Sequence, residues 1–210
     1  MTEHLTLNTV AHAAFRRTIA RFDGALGAFP DGNQARADQL TRAWDFFDEE
    51  LHHHHGYEEE YFWPALQETD ADLSELAELD NEHEDMRAAL GQATESMKAL
   101  KASPTSASAA GARAAVSNLG TVLINHLDHE ERDLEPISAA YADAPPMKKA
   151  LSRVKKAHMG KMGNFIEFLQ DGADADDIAG MRKELPAPVI FLFSKFGGRR
   201  YRNEIAPTWS

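Results

Sequence analysis

Leu51-His52-His53-His54-His55-Gly56-Tyr57-Glu58-Glu59-Glu60-Tyr61-Phe62-Trp63-Pro64 is the stretch that decides the reading. Traced in steps of three and four, it continues the apolar line Leu40, Trp44, Phe47, Leu51 into His54, Glu58, Tyr61 and Ala65, so a helix turns an imidazole and a carboxylate into its own apolar face. A second stretch repeats the arrangement, where Val116, Leu119 and Leu123 lead into His126, Glu130 and Ile137. Two further stripes each carry one histidine: His12, Phe15, Ile19, Phe22, Leu26, and Leu76, Leu79, His83, Met86, Leu90, Met97. Nothing alternates with period two between turns, so strands are not expected.

The breaks between these stripes define four helices. The first is expected over about 6–28, ending at Phe29-Pro30-Asp31-Gly32. The second is expected over about 33–68 with Pro64 bending its last turn, the third over 74–101 before Ser103-Pro104, and the fourth over 106–142. Short connections make neighbours antiparallel, so the fold class is all-α, an up-down-up-down four-helix bundle with a C-terminal helical extension. At ~1.5 Å per residue, His12, His54, Glu58, His83, His126 and Glu130 then fall in one layer some 10–18 Å from the same end of the bundle.

Charge places a boundary near Ala144-Pro145-Pro146. Residues 1–144 carry a net −17 and residues 145–210 a net +5. Two domains are read from this: an acidic bundle at 1–144, and a basic helical extension at 145–210 that packs on it. In the extension, Leu151, Val154, His158, Phe165 and Leu169 outline one amphipathic helix, Asp176 to Glu184 a short one, and an apolar stretch runs to Phe196. A homodimer contact or a peripheral surface contact is the sharper role for this segment. The whole chain of 210 residues has a net charge of −12, which disfavours general binding to nucleic acid or anionic membranes. It contains no cysteine, which removes disulfides, thiolate metal sites and a cysteine nucleophile. The first residues lack a basic and apolar leader pattern, and no apolar run approaches a bilayer span, so a cytoplasmic protein without a transmembrane segment is expected.

Six inward polar groups would be costly to bury without partners. Four imidazoles and two carboxylates suit first-row metals such as iron, manganese or zinc, and exceed the four ligands of a structural zinc site. Two metals fit the set, with a carboxylate from each of two helices bridging them. His55 with Glu59 is the competing register on the second helix. His52, His53, His129 and His4 read as solvent-facing, with a supporting place behind the ligands open to the first two. Glu59, Glu60, Asp128 and Glu131 read as a solvated acidic face, with a supporting role behind the ligands as the other reading. Arg16 and Arg87 read as partners of surface acids, Tyr61 as core packing or pocket lining, and His158 as packing.

The series His12, then His54 to Pro64 with Glu58, then Glu82-His83-Glu84, then His126-Leu127-Asp128-His129-Glu130-Glu131 resembles the hemerythrin-like (HHE cation-binding) domain over roughly residues 6–142. The resemblance implies a four-helix bundle holding two non-haem iron ions with a bridging oxo or hydroxo group. The family's oxygen carriers have a second histidine one turn after the first on their third helix. Here that position is Arg87, and the last carboxylate, Glu130, stands four rather than five residues after its histidine. Stable oxygen carriage is thereby disfavoured. The expected function is reaction with a small oxidant, first of all hydrogen peroxide in a catalase-like disproportionation. The alternative is an oxygen, nitric oxide or iron binding or sensing protein without turnover.

Overall fold

A computed structural model describes residues 6–210, all of whose regular elements are helical. The sequence reading of His4 lies outside the described residues. Helix α1 (Leu7–Gly27) starts at Thr6, whose hydroxyl accepts from the Thr9 N–H at 3.2 Å while the Thr9 hydroxyl accepts from the Thr6 N–H at 3.0 Å. Its successor α2 (Gln34–Tyr57) is capped by Asn33 and follows a turn at Gly32, whose φ of 75° favours glycine. After α3 (Trp63–Gln67), the helix α4 (Leu76–Ala102) runs to the break at Ser103-Pro104, and Thr105 caps α5 (Ser106–His129). The short α6 (Glu135–Ala140) completes that arm.

The second and fourth expected helices are each interrupted by a wider π-helical turn. Glu58–Phe62 joins α2 to α3, and Glu130–Leu134 joins α5 to α6. A proline follows each, Pro64 and Pro136. Proline has no N–H to give the preceding turn and its ring crowds the carbonyl four residues back, and the longer π turn relieves both conflicts. The bend expected at Pro64 is therefore taken up before it, at the glutamates.

The long helices close a ring: α1 packs on α2 and α5, and α4 packs on α2 and α5. Inside lie Phe15, Phe22, Leu40, Trp44, Phe47, Leu51, Met86, Met97, Val116, Leu119 and Leu123, all buried. Fully burying side chains of this size stabilises by about 1.5–3 kcal/mol each.

The extension shares this core. The single amphipathic helix expected from Leu151 to Leu169 is instead two, α7 (Pro145–His158) and α8 (Met162–Gln170), separated at Met159-Gly160-Lys161. They are followed by α9 (Ala175–Glu184), capped by Asp174, and α10 (Ala187–Gly197). Phe168 lies 5.5 Å from Phe15 and 5.8 Å from Phe46 between ring centres, and Trp209 meets Phe22 edge-on at 5.0 Å. Helix α8 approaches α10 so closely that a Cβ on Gly163 would stand 2.3 Å from the Gly197 carbonyl carbon. On the outer side of α10, Phe191, Leu192 and Phe196 stay exposed. No helix among the described residues is long and apolar enough to cross a membrane.

Candidate metal centre

All six residues traced from the stripes meet inside the bundle. His12 comes from α1, His54 from α2, His83 from α4 and His126 from α5, while Glu58 and Glu130 open the two π turns. Two groups of donor atoms form, each with all its atoms within 4.8 Å of one another: His12, His54, Glu58 and Glu130, and His55, Glu58, His83 and His126. Among the closest approaches, the Nε2 atoms of His12 and His54 face each other at 3.0 Å, and those of His83 and His126 at 3.2 Å.

The carboxylates link the two groups. Glu58 reaches His54 at 3.2 Å and His83 at 3.5 Å, and Glu130 reaches His12 at 3.3 Å and His126 at 3.9 Å. One carboxylate from each of two helices thus stands between imidazoles of both groups.

His54 and His55 are not competing registers in the structure. Both point inward, and His55 joins the His83 side, its ring 4.5 Å from that of His83. The fifth imidazole therefore comes from α2, in a core where Arg87 takes the place on α4. Glu59 does not accompany His55 as the register alternative had it.

Glu59 instead belongs to a layer of acids behind the histidines. It accepts from His83 Nδ1 at 2.7 Å, Glu131 from His12 Nδ1 at 2.8 Å, and Glu82 from His126 Nδ1 at 2.9 Å. Taking the Nδ1 proton fixes each ring so that the Nε2 lone pair points into the cluster. Arg16 and Arg87 do pair with acids, and these are the same ones: Arg16 bonds Glu131 and Arg87 bonds Glu59, both at 2.7 Å. Of the four acids read from the sequence as a solvated face, Glu59 and Glu131 thus hold imidazoles, while Asp128 pairs with Arg16.

His129 is corrected from exposed to buried, at 7% exposure, with its Nδ1 2.9 Å from Glu82. It sits three residues after His126, on the same helical face, which was the available signal. Tyr61 packs beside Trp63 and Leu66 in a second apolar cluster, while Tyr57 lines the cavity described below. His52 is solvent-facing and bonds the Asp48 carbonyl oxygen at 2.9 Å.

The centre has an approximate internal twofold pattern. His54, Glu58, Glu59 and Pro64 match His126, Glu130, Glu131 and Pro136 in spacing, and His12 with Arg16 matches His83 with Arg87. The pattern breaks at two places. The counterpart of His55 is the buried Leu127, and the counterpart of Glu135 is Trp63, stacked on His83 at 4.6 Å. Glu135 is tied to the Thr6 hydroxyl and to Asn8.

Burial leaves four of the five imidazoles in this core neutral. Burial drives His54 and His55 well toward the neutral imidazole, reinforced by His12 and His54 respectively. Burial together with His126 lowers His83 to about 4. Burial opposes the charge on His12, but Glu130 and Glu131 outweigh it and raise His12 to about 9. Burial likewise opposes ionisation of Glu130, yet His12 draws it down to about 2. Glu58 has no such partner, and burial, then Glu130, hold its carboxyl well above the usual range.

The buried atoms His55 Nε2, both Glu58 carboxylate oxygens and Glu130 Oε2 find no hydrogen-bond partner. Each such atom costs about 1–3 kcal/mol. Four neutral imidazoles, a fifth at His12 that gives up its second proton when a metal binds, two shared carboxylates and unpartnered atoms aimed at one another fit a pair of first-row divalent or trivalent cations.

A cavity of about 290 Å³ reaches the centre between the bundle and the extension. It touches His54, Glu58, Glu130 and Glu135, and His54 is the one imidazole of the two donor groups in its lining. Its walls are mostly apolar, including Phe62, Trp63, Leu134, Met147 and Leu151.

A family model described as hemerythrin HHE cation binding domain matches residues 7–138. No curated protein and no solved structure matches the chain.

Proposed function

The chain belongs to the hemerythrin HHE cation-binding domain family, and on that premise we propose that it holds two non-haem iron ions and uses them to disproportionate hydrogen peroxide. His12 and His54 would hold one ion and His55, His83 and His126 the other, with Glu58 and Glu130 shared between them. The observation that carries this reading is the access: an apolar-walled cavity meets the centre at His54 and at both shared carboxylates, Glu58 and Glu130. Bound there, two redox-active ions would supply an electron relay: the two electrons and two protons that one peroxide gives up on becoming oxygen are taken up by a second, which becomes two waters.

The chain's own residues do the rest. Apolar walls keep the approach to the ions poor in water, which strengthens electrostatic interactions inside. Glu135 faces the cavity with its carboxyl raised by burial, so it can carry a proton beside the centre. Asn8 donates to Glu130 at 3.2 Å and to Glu135 at 3.3 Å, fixing the two carboxylates relative to each other. Manganese accepts the same donor types, and iron is preferred on the family assignment.

The test is oxygen evolution from hydrogen peroxide by the iron-loaded chain against the same concentration of free iron. Evolution well above free iron, reduced by Glu135→Gln, supports the reading. A change in the visible spectrum with no oxygen evolved refutes it and makes the centre a binding or sensing site.

A further inference from the structure

A second donor cluster stands apart from the paired one, where the extension meets the bundle. Glu50, His53 and His158 each direct one side-chain atom to a common region, and those atoms lie within 4.8 Å of one another. Glu50 and His53 are one turn apart on α2, and His158 is the last residue of α7. None of the three belongs to the paired centre.

Each residue leaves an atom there with no hydrogen-bond partner: Glu50 Oε2, His53 Nδ1 and His158 Nε2. Glu50 is 2% exposed and His158 4%, so both are withdrawn from bulk solvent. Glu50 Oε2 and His158 Nε2 stand 3.8 Å apart, beyond a hydrogen bond. The far side of each imidazole is accounted for. Tyr57 bonds His158 Nδ1 at 3.2 Å, which turns Nε2 toward Glu50. Lys161 donates to His53 Nε2 at 3.0 Å and to Glu49 at 2.7 Å. That bond leaves the His53 proton on Nδ1 in the metal-free chain; a cation on Nδ1 moves the proton to Nε2, so Lys161 leaves the imidazole and keeps Glu49.

We propose that Glu50, His53 and His158 form a third cation site, taking a single zinc-type divalent ion that ties the extension to the bundle. Two imidazoles and one carboxylate make the three-ligand set of zinc sites that keep a fourth position open. All three residues line the same cavity that reaches the paired centre, so the fourth position faces that cavity and a water or small anion there. Two nitrogen donors of three disfavour calcium and magnesium. Bonds of ~2.0–2.2 Å require the three donors to close to roughly 3.5 Å from one another, a contraction within the reach of side-chain rotation.

The proposal is independent of what the paired centre does, and its test is a difference between variants. Zinc is added to the full-length chain in the presence of a chromophoric competitor, and zinc bound per chain is compared among wild type, His158→Gln and the near-isosteric Glu50→Gln. Wild type is expected to bind one more zinc than His158→Gln, and Glu50→Gln to bind that ion at least tenfold more weakly, with the occupancy of the paired centre equal in all three. Cobalt at the site in wild type adds visible bands of a four-coordinate N/O environment that His158→Gln lacks and Glu50→Gln shows only at higher cobalt. Equal zinc content and affinity in all three chains overturns the proposal, as does zinc retained by both variants at the group Glu75, Glu78 and His129. Circular dichroism on Glu50→Gln shows whether the fold is kept, so a loss of zinc with a folded chain is read as loss of a ligand.

Discussion

Replacing His55 with leucine should move the metal-free and the metal-loaded protein in opposite directions. The substitution copies the other arm of the centre, where the matching residue is the buried Leu127. In the metal-free chain His55 is a buried imidazole, driven neutral by burial and by His54, whose Nε2 finds no partner. Removing one unpartnered buried polar atom relieves about 1–3 kcal/mol, and leucine has the volume to refill the space. For a chain of this size each kcal/mol shifts Tm by roughly 2–4 °C, so the chelated variant is expected to melt about 2–12 °C above chelated wild type. With metal the sign reverses. The His83–His126 side loses its third imidazole, its ion falls away or binds far more weakly, and the stabilisation that binding confers on the folded state falls with it. The assay is calorimetry on chelated and iron-loaded samples of both chains, with iron measured per chain. A chelated variant that melts below wild type, or one that keeps both ions with unchanged affinity, would refute the assignment of His55 to the centre.

Glu58→Ala should cost both ions rather than one, because Glu58 stands in both donor groups, and iron content per chain checks this. Glu59→Gln and Glu131→Gln should each weaken one ion by roughly 10–100-fold while leaving the other, since each acid orients a histidine of a different group; iron-chelator competition reads both constants. Burial, then the neighbouring Glu49, raises Glu50 to about 8, so the metal-free protein should lose Glu50's contribution to stability as pH rises from about 4.5 to 8. Glu50→Gln should lack that decline, which makes the variant's advantage over wild type grow across this window in chelated unfolding curves. Gly163→Ala should part α8 from α10, because its Cβ meets backbone rather than a flexible side chain; a loss of more than ~2 kcal/mol in urea unfolding is expected.

The bundle was legible because its signals agree locally. The apolar stripes of α1, α2, α4 and α5 have helical spacing, and Pro30-Asp31-Gly32, Ser103-Pro104 and Ala144-Pro145 stop the chain where the structure stops it. The convergence of His12, His54, Glu58, His83, His126 and Glu130 followed from stripe phase and depth. His55 was harder to read because adjacent helical residues diverge by about 100°, and a narrow stripe admits only one of them. A centre wide enough for two ions receives side chains from a broader arc.

Glu59, Glu82 and Glu131 were hidden for a related reason. They lie half exposed at the edge of the stripes, and only the tertiary approach of α1 to α5, of α4 to the π turn after α2, and of α5 to α4 shows which imidazole each one holds. The break between α7 and α8 was obscured by an apolar pattern that runs through Gly160. The repeated spacing of His54, Glu58 and Pro64 with His126, Glu130 and Pro136, each proline six residues after its glutamate, was the available signal for the π turns, of which only a bend at Pro64 was read.

The number of iron ions bound per chain, measured on full-length protein produced in iron-replete cells, tests the central claim most directly. Two irons per wild-type chain, with near-ultraviolet absorption of a bridged pair, is the predicted result. One iron or none per folded chain would contradict a centre built from two donor groups that share Glu58.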